Sequence, residues 1–463
     1  MKKVSLFPMP LSPFKTDGKE KGALFFCLDV LYYTIEKGGE RMSGDKERVI
    51  FHCDCNSFFA SVETLDHPEW ASVPMAVTGD PDSRHGIILA KNELAKKYGV
   101  QTAETIWSAK QKCPQLLCVP SHHRKYSEIS QKINQIYLDY TDLVEPFSVD
   151  ESYLDVTGSM ALFNMSPKQL ADTIRERVRR DIGITISVGV SFCKVFAKLG
   201  SDYKKPDATT VFDREAVERI VYALPVRDML FVGKKTAEQL SHMGIHTIGE
   251  LARCEQATLR HTLGEIGNTI WKYATGQDDE PVHSYYERRE VKSIGNGTTF
   301  RRDLYTMDEV HAGIAMLCDE VVWRLRNENK KCTVVQVTIR DPNFHTIQRQ
   351  RKLNDPTWLL SDIISAAMEL VSENRKSGMR IRMLTVTVSG LVHPDMISQQ
   401  MSLFDEPTAA DRNERQEKLE AALLDIRRKK GIDSIYRGMY DERELGVSNR
   451  KRQGNSHGDD SKK

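Results

Sequence analysis

The sequence predicts an α+β protein of several domains, and three observations carry that expectation. Between residues 48 and 201, short apolar runs alternate with stretches of helical spacing, the pattern of a sheet covered by helices. Residues 223–276 then turn all-helical. From residue 294, strand-like TVVQVTI (333–339) and MLTVTV (383–388) interleave with helical stretches near 307–326 and 358–372. That β-α-β-β-α-β rhythm describes a small sheet backed by two helices. A chain of 463 residues has room for about two to four such domains.

Each element has its own signal. Residues 48–53 form a short apolar strand with Val49 and Ile50, and 58–65 follow with helical character. GIILA at 86–90 is a second apolar strand. Residues 92–98 are helical and stop at Gly99, a residue suited to the left-handed position after a helix. A helix over 131–142, a hairpin over 147–156, a helix over 167–180, a strand over 185–190 (TISVGV) and a helix over 194–201 complete this part. Residues 288–292 are a polar connector. Beyond the last strand lies a polar tail with one amphipathic helix near 412–428, whose Leu419, Leu423 and Ile426 share a face. Residues 446–463 have the composition of a disordered segment. At the other end, Met42 precedes SGDKERVIFHCD, a natural lead-in to the first strand. Lys37, Gly38 and Gly39 just upstream can be encoded by a purine-rich run of the ribosome-binding type. Residues 1–41 are therefore expected to be leader translated from an upstream start, with a genuine N-terminal extension as the other reading; peptide mapping of the native protein separates the two.

Composition excludes several classes. Hydrophobic content of 40% and charged content of 28% are ordinary for a soluble globular protein. No apolar run approaches the roughly 20 residues that span a bilayer. The longest, GALFFCLDVLYY at 22–33, carries Asp29 and lacks a signal-cleavage site. Nine cysteines without a C-x-x-C pair suit a reducing compartment, so a cytoplasmic location is expected. Cys53 and Cys55 flank Asp54; on a strand they share one face, which predicts packing rather than metal binding. A formal net charge of +1 says nothing about nucleic acid, but charge distribution does. Basic residues cluster at Arg301-Arg302, Lys330-Lys331, Arg349/Arg351/Lys352 and Arg375/Lys376/Arg380/Arg382.

The candidate chemistry sits in VIFHCDCNSFFASVE (49–63) and SVDESYLD (148–155). Asp54, Asp150 and Glu151 are three carboxylates in two strand-edge segments. Hard cations such as Mg²⁺ take oxygen ligands and leave room for substrate phosphates. Two of them about 4 Å apart can activate an attacking oxygen and stabilise a leaving one. Adjacent strand residues point to opposite faces, so Asp150 and Glu151 converge only if a turn re-aims one of them. Any one of these acids alone would read as an ordinary surface carboxylate.

Taken together these motifs resemble the bacterial Y-family DNA polymerases, the translesion enzymes of the DinB (DNA polymerase IV) and UmuC type, over residues 48–405. The resemblance implies a right-hand architecture. Its palm would take 42–57 and 123–212, its fingers 58–122, its helical thumb 213–285 with a helix-hairpin-helix, its linker 286–293 and its β-α-β-β-α-β little finger 294–395. Residues 396–463 would be a clamp-binding peptide and polar tail. It implies two Mg²⁺ ions (Mn²⁺ as a substitute) on Asp54, Asp150, Glu151 and the backbone carbonyl of Cys55. Phe59 would be the steric gate against ribose. Ser57, Phe58, Phe59, Lys96 and Lys205 would bind the nucleotide. Asn56 stands where many relatives carry a further acid that is not a required ligand. The triphosphate clamp departs more: Thr, Tyr and Arg of relatives become Ala90, Glu93 and Lys96. Lysine lacks the bidentate fork of arginine; Glu93 is expected to point away from phosphate, and Lys91 to compensate.

By the same resemblance FVGKKTAEQL (231–240) is the helix-hairpin-helix, with Gly233, Lys234 and Lys235 at the DNA backbone. Arg301, Arg302, Lys330, Lys331, Arg380 and Arg382 would grip the duplex in a salt-sensitive way. Gln400, Met401, Ser402, Leu403 and Phe404 resemble the peptide that binds the bacterial sliding clamp (its beta subunit). The implied partners are primer-template DNA, dNTP and the clamp, with no membrane and a monomeric state. Two other readings stay open: a palm-domain nucleotidyl cyclase, and a catalytically weak DNA-binding accessory protein.

Overall fold

The computed structural model describes residues 47–79, 86–287, 290–376, 378–396, 407–431, 434–435 and 445. The proposed leader at 1–41 and the peptide at 400–404 lie outside the described residues.

The first part contains β1 (Ile50–Cys55), α1 (Phe58–Asp66), β2 (Met75–Thr78), β3 (Ile88–Lys91), α2 (Glu93–Lys97), α3 (Ile106–Lys112), β4 (Leu117–Pro120) and α4 (His123–Leu138). It continues with β5 (Val144–Pro146), β6 (Glu151–Asp155), α5 (Met160–Phe163), α6 (Pro167–Ile182), β7 (Ile186–Ser191), α7 (Lys194–Tyr203), β8 (Thr209–Phe212) and α8 (Arg214–Arg219). Two sheets result: β5-β6-β1-β7-β8, with β1 central, and the small β3-β2-β4. The expected helix over 131–142 begins at His123 instead, because Tyr126 is a core residue one to two turns before the predicted start.

Strand alternation sorts β1 cleanly. Phe51, Cys53 and Cys55 go into the core with Tyr137, Leu154 and Val188, so the two thiols pack as expected. His52 and Asp54 face the other way, toward α7. Helix α7 lies very close to the sheet because Gly189 and Gly200 meet there. A Cβ on Gly189 would stand 1.8 Å from the carbonyl oxygen of Ala197. Backbone cannot yield as a side chain can. Gly189→Ala is therefore expected to cost more than the about 1–3 kcal/mol typical of overpacking. It should lower the melting temperature far below that of Gly158→Ala, whose added methyl meets open space.

The helical segment comprises α9 (Lys234–His242), α10 (Ile248–Arg253), α11 (Gln256–Leu263) and α12 (Glu265–Ala274) around Leu240, Leu251, Leu259 and Ile270. The last domain follows the predicted rhythm: β9 (Ser293–Leu304), α13 (Met307–Asn327), β10 (Cys332–Arg340), β11 (Thr346–Thr357), α14 (Leu360–Asn374) and β12 (Ile381–Ser389). Its strands are antiparallel in the order β11-β10-β12-β9, with α13 and α14 packed on one face.

The tail helix, α15 (Pro407–Lys430), corrects its amphipathic reading. Leu419 and Ile426 are exposed and Leu423 is half-buried beside Asp319 and Arg326, whereas Glu420 and Arg427 are buried. Arg427 pairs with Asp319 at 2.6 Å and Arg326 with Glu420 at 2.8 Å. Charge on α13 thus chose the docking face, and periodicity in the tail alone could not reveal a partner about a hundred residues away.

Candidate active site

In the antiparallel ladder Asp54 stands directly opposite Glu151, so both side chains emerge on the face covered by α7. Asp150 precedes β6 in a loop. Its carbonyl accepts from Cys55 N at 3.0 Å, and its carboxylate accepts from the Ser148 hydroxyl at 2.6 Å. The turn required before Glu151 is present, but the Asp150 carboxylate is held by Ser148. Among the described residues no three Asp, Glu, His or Cys side chains converge as a ready metal cluster.

Cations already occupy the space between the acids. Lys198 Nζ donates to Glu151 Oε1 at 2.7 Å and lies 3.5 Å from Asp54 Oδ2. Lys205 Nζ donates to Asp54 Oδ2 at 2.6 Å and to Asp202 Oδ1 at 2.7 Å. Burial pushes the Asp54 carboxyl up to about 7, against the attraction of Lys205. Burial also works upward on Glu151, but the Lys198 ammonium that donates to it helps outweigh that and hold the group below the usual carboxylate range. For both lysines burial works downward, and the neighbouring carboxylates outweigh it, so both stay charged. An acid pair bridged by an ammonium group and made only of oxygen donors fits hard divalent cations.

Lys198 and Asp202 were not legible as site residues. A signal existed: Lys198 and Asp202 stand at i and i+4, one face of a helix. His52 was missed too. It is fully buried, and burial pushes it down to about 4, so the ring is neutral. Ser201 Oγ donates to the Lys198 carbonyl, so it accepts from His52 Nδ1 at 2.8 Å. His52 Nε2 then faces Glu151 Oε2 at 3.6 Å.

Ser57 joins β1 to α1 in a left-handed conformation, φ 49°, which starts the helix immediately beyond the acid. The Phe59 ring stacks on Tyr126, centroids 4.2 Å apart and 14° from parallel, and meets His123 edge-on at 5.7 Å. The Tyr126 hydroxyl donates to the buried Glu63, which also binds His122 Nδ1 at 2.9 Å. Phe58 is core. Asn56 turns into the sheet, donating to Thr185 Oγ1 and accepting from Ser187 Oγ.

Glu93 does not point away. It accepts from Ser57 Oγ at 3.4 Å and pairs with Lys96 at 3.6 Å. Asn92 caps α2, which places Glu93 in the first turn and Lys96 in the next on the same side. Lys91 reaches Thr102 Oγ1 instead, at 3.1 Å.

Elsewhere, Gly233 caps α9 with extended backbone and open space at its missing side chain, and Lys234 and Lys235 are exposed beside it. Arg301, Arg302, Arg380 and Arg382 gather toward one end of the C-terminal sheet. Lys330 and Lys331 lie at the opposite end, next to Glu290 and Glu417.

Residues 53–202 match the model of the impB/mucB/samB family, and residues 291–403 that of its C-terminal domain. The chain is 43% identical to the DNA polymerase IV of Acetivibrio thermocellus over 393 residues, covering 85% of this chain and 97% of that one. It is 35% identical to the DNA polymerase IV of Clostridium acetobutylicum over 405 residues, covering 86% and 99%. A solved Y-family DNA polymerase chimera shares the fold with a TM-score of 0.65 at 22% identity, covering 74% of this chain and 99% of that chain.

Proposed function

The chain belongs to the impB/mucB/samB family, bacterial Y-family DNA polymerases of the DNA polymerase IV type, and we propose that Asp54, Asp150 and Glu151 carry its nucleotidyl transfer. It is a DNA-directed DNA polymerase of translesion synthesis, joining a dNTP to a primer 3′-OH with release of pyrophosphate. The observation that carries the residue assignment is the opposed Asp54–Glu151 pair, whose carboxylates are bridged by the Lys198 ammonium while Lys205 also pairs with Asp54.

Divalent metal dependence belongs to the family; Mg²⁺ is the ion proposed here, with Mn²⁺ as a substitute. Held by Asp54, Asp150, Glu151 and the Cys55 carbonyl, such ions would activate the attacking oxygen and neutralise charge on the phosphates. The protein's own groups do the rest. Lys198 and Lys205 hold the carboxylates in place before substrate arrives. Lys205, Lys96 and the turn at Ser57–Phe59 would bind phosphate oxygens, and Phe59 would close the floor under the sugar. In this reading residues 42–57 and 123–212 are the palm, 58–122 the fingers, 213–285 the thumb, 286–293 the linker and 294–395 the little finger. Gly233, Lys234 and Lys235 and the Arg301/Arg302/Arg380/Arg382 end would hold the DNA backbone. A monomer in the cytoplasm is proposed; no helix among the described residues is long and apolar enough to cross a membrane. Template-dependent primer extension with Mg²⁺ tests the reading; nucleotide conversion without primer would point to the cyclase instead.

Two further outcomes are expected. Glu93 holds Ser57 and Lys96 in the absence of nucleotide, so it competes with phosphate for the same donors. Exposed ion pairs are worth up to about 1 kcal/mol. Glu93→Gln should therefore lower KM for dNTP by about threefold to fivefold, with kcat unchanged; a higher KM would mean that Glu93 supports the cradle. The second concerns Gln400–Phe404, whose sequence supports docking to the sliding clamp. Leu403→Ala with Phe404→Ala should leave basal extension intact and remove its stimulation by the clamp.

A further inference from the structure

The C-terminal domain carries a feature that backbone contacts to a duplex do not require. Phe344 sits at the tip of the β10–β11 hairpin with 67% of its surface exposed and φ of 66°. A left-handed backbone favours glycine or asparagine, and a bulky residue there is strained. The loop enforces it. Asp341 Oδ1 accepts from the backbone N–H of Asn343 at 2.8 Å and of His345 at 2.9 Å, and the Asp341 carbonyl accepts from Phe344 N at 3.1 Å. The hairpin thus holds a phenyl ring in water at a conformational cost.

The ring has cationic company. Arg382 lies 5.3 Å from its centroid and is steadied by Asp303 at 3.2 Å. Two residues back along the chain, Arg380 lies 5.9 Å from the ring of Tyr305, itself 57% exposed. Ile381 between them is buried, so both guanidiniums come out on the solvent side. Strand β12 lies between β10 and β9, and Tyr305 follows β9 directly. The order across this end of the sheet is therefore Phe344, Arg382, Arg380, Tyr305: ring, cation, cation, ring.

We infer that this row is a binding ledge for single-stranded DNA, the unpaired template beyond the primer terminus. The inference rests on the polymerase reading of this domain as a DNA contact and adds what is contacted. Cations recognise phosphate on either form of DNA. Exposed flat rings can stack only on bases that are already unpaired, and they do so regardless of sequence. In a duplex the base faces are covered, so the two rings would stay idle there. Three nearby acids are already engaged, Asp303 with Arg382, Asp341 within its own loop and Glu309 with Arg302.

The test is fluorescence anisotropy of the full chain with blunt primer-template duplex, the same duplex carrying a single-stranded 5′ template overhang, and oligothymidylate. Phe344→Gly, which suits the left-handed backbone and keeps the loop, is combined with Tyr305→Ala. Wild type should prefer the overhang duplex to the blunt one. The double variant should lose about tenfold or more on overhang and oligothymidylate and nothing on blunt duplex, in line with base–aromatic stacking. Phe344→Trp should retain the preference. The ledge is overturned if wild type shows no preference for the overhang, or if blunt and overhang affinities fall together. It is equally overturned if neither falls, in which case the rings face a protein. Primer extension by wild type at saturating DNA is read alongside. Its absence would overturn the polymerase reading of the catalytic residues and leave the binding comparison interpretable.

Discussion

Asp150→Ala combined with Glu151→Ala is expected to abolish primer extension while primer-template DNA still binds. Glu151 is one half of the opposed acid pair, and Asp150 lies in the loop just before it. Removing them deletes two of the three acids proposed to hold cations. It also frees Lys198, whose short contact is to Glu151, to move onto Asp54, already held by Lys205. The remaining carboxylate would then be covered by two ammonium groups. A single preorganised electrostatic partner is commonly worth about a hundredfold to a thousandfold in rate, so the double variant should fall at least about a thousandfold. The assay is extension of a labelled primer with Mg²⁺ and dNTPs, beside anisotropy on the same DNA. Extension by the variant at the wild-type rate would sink the assignment. A wild type that binds DNA and extends nothing would favour the accessory reading, with Ala90, Glu93 and Lys96 as first suspects.

Much of this arrangement was legible because its signals are local. The short apolar run of β1, the run of Thr185–Val190 and the β-α-β-β-α-β order each depend on neighbours within a few residues. The opposition of Asp54 to Glu151 follows once β1 and β6 pair, since register then fixes which side chains share a face. What stayed hidden depends on contacts between distant segments. Lys198 becomes a site residue only because Gly189 and Gly200 let α7 press against β7. Glu93 turns toward Ser57 because the start of α2 lies beside the turn after β1; sequence chemistry alone argued for repulsion and for the opposite direction. The tail helix buries Glu420 and Arg427 because α13 offers Arg326 and Asp319, which no periodicity in the tail can announce. Buried charge pairs of this kind are invisible to a hydrophobic template, which assigns every buried face to apolar residues.

Phe59→Ala is expected to admit ribonucleotides, with kcat/KM for CTP relative to dCTP rising by about a hundredfold or more. Two costs now fall on a 2′-hydroxyl at this ring. The first is steric, and it depends on the ring being immobile. Tyr126 lies flat against one side of Phe59, His123 meets it edge-on, and the Tyr126 hydroxyl is anchored on Glu63, which is 2% exposed and also bound by His122. Phe59 therefore cannot swing toward Tyr126 without disturbing the Tyr126–Glu63 hydrogen bond. The second cost is desolvation: a phenyl face offers no partner, and an unsatisfied hydroxyl costs about 1–3 kcal/mol. Together with overpacking of about 1–3 kcal/mol, the sum corresponds to roughly two to four decades of discrimination. Alanine removes both costs at once. Tyr126→Phe supplies the contrast, since it keeps the stacked ring and loses only the anchor to Glu63. A smaller fall in discrimination there, with Phe59→Ala extending dNTP at near wild-type rate, would assign selection to the ring and its rigidity to the network. Sugar discrimination unchanged in an active Phe59→Ala would remove Phe59 from the gate and leave it a core aromatic of α1.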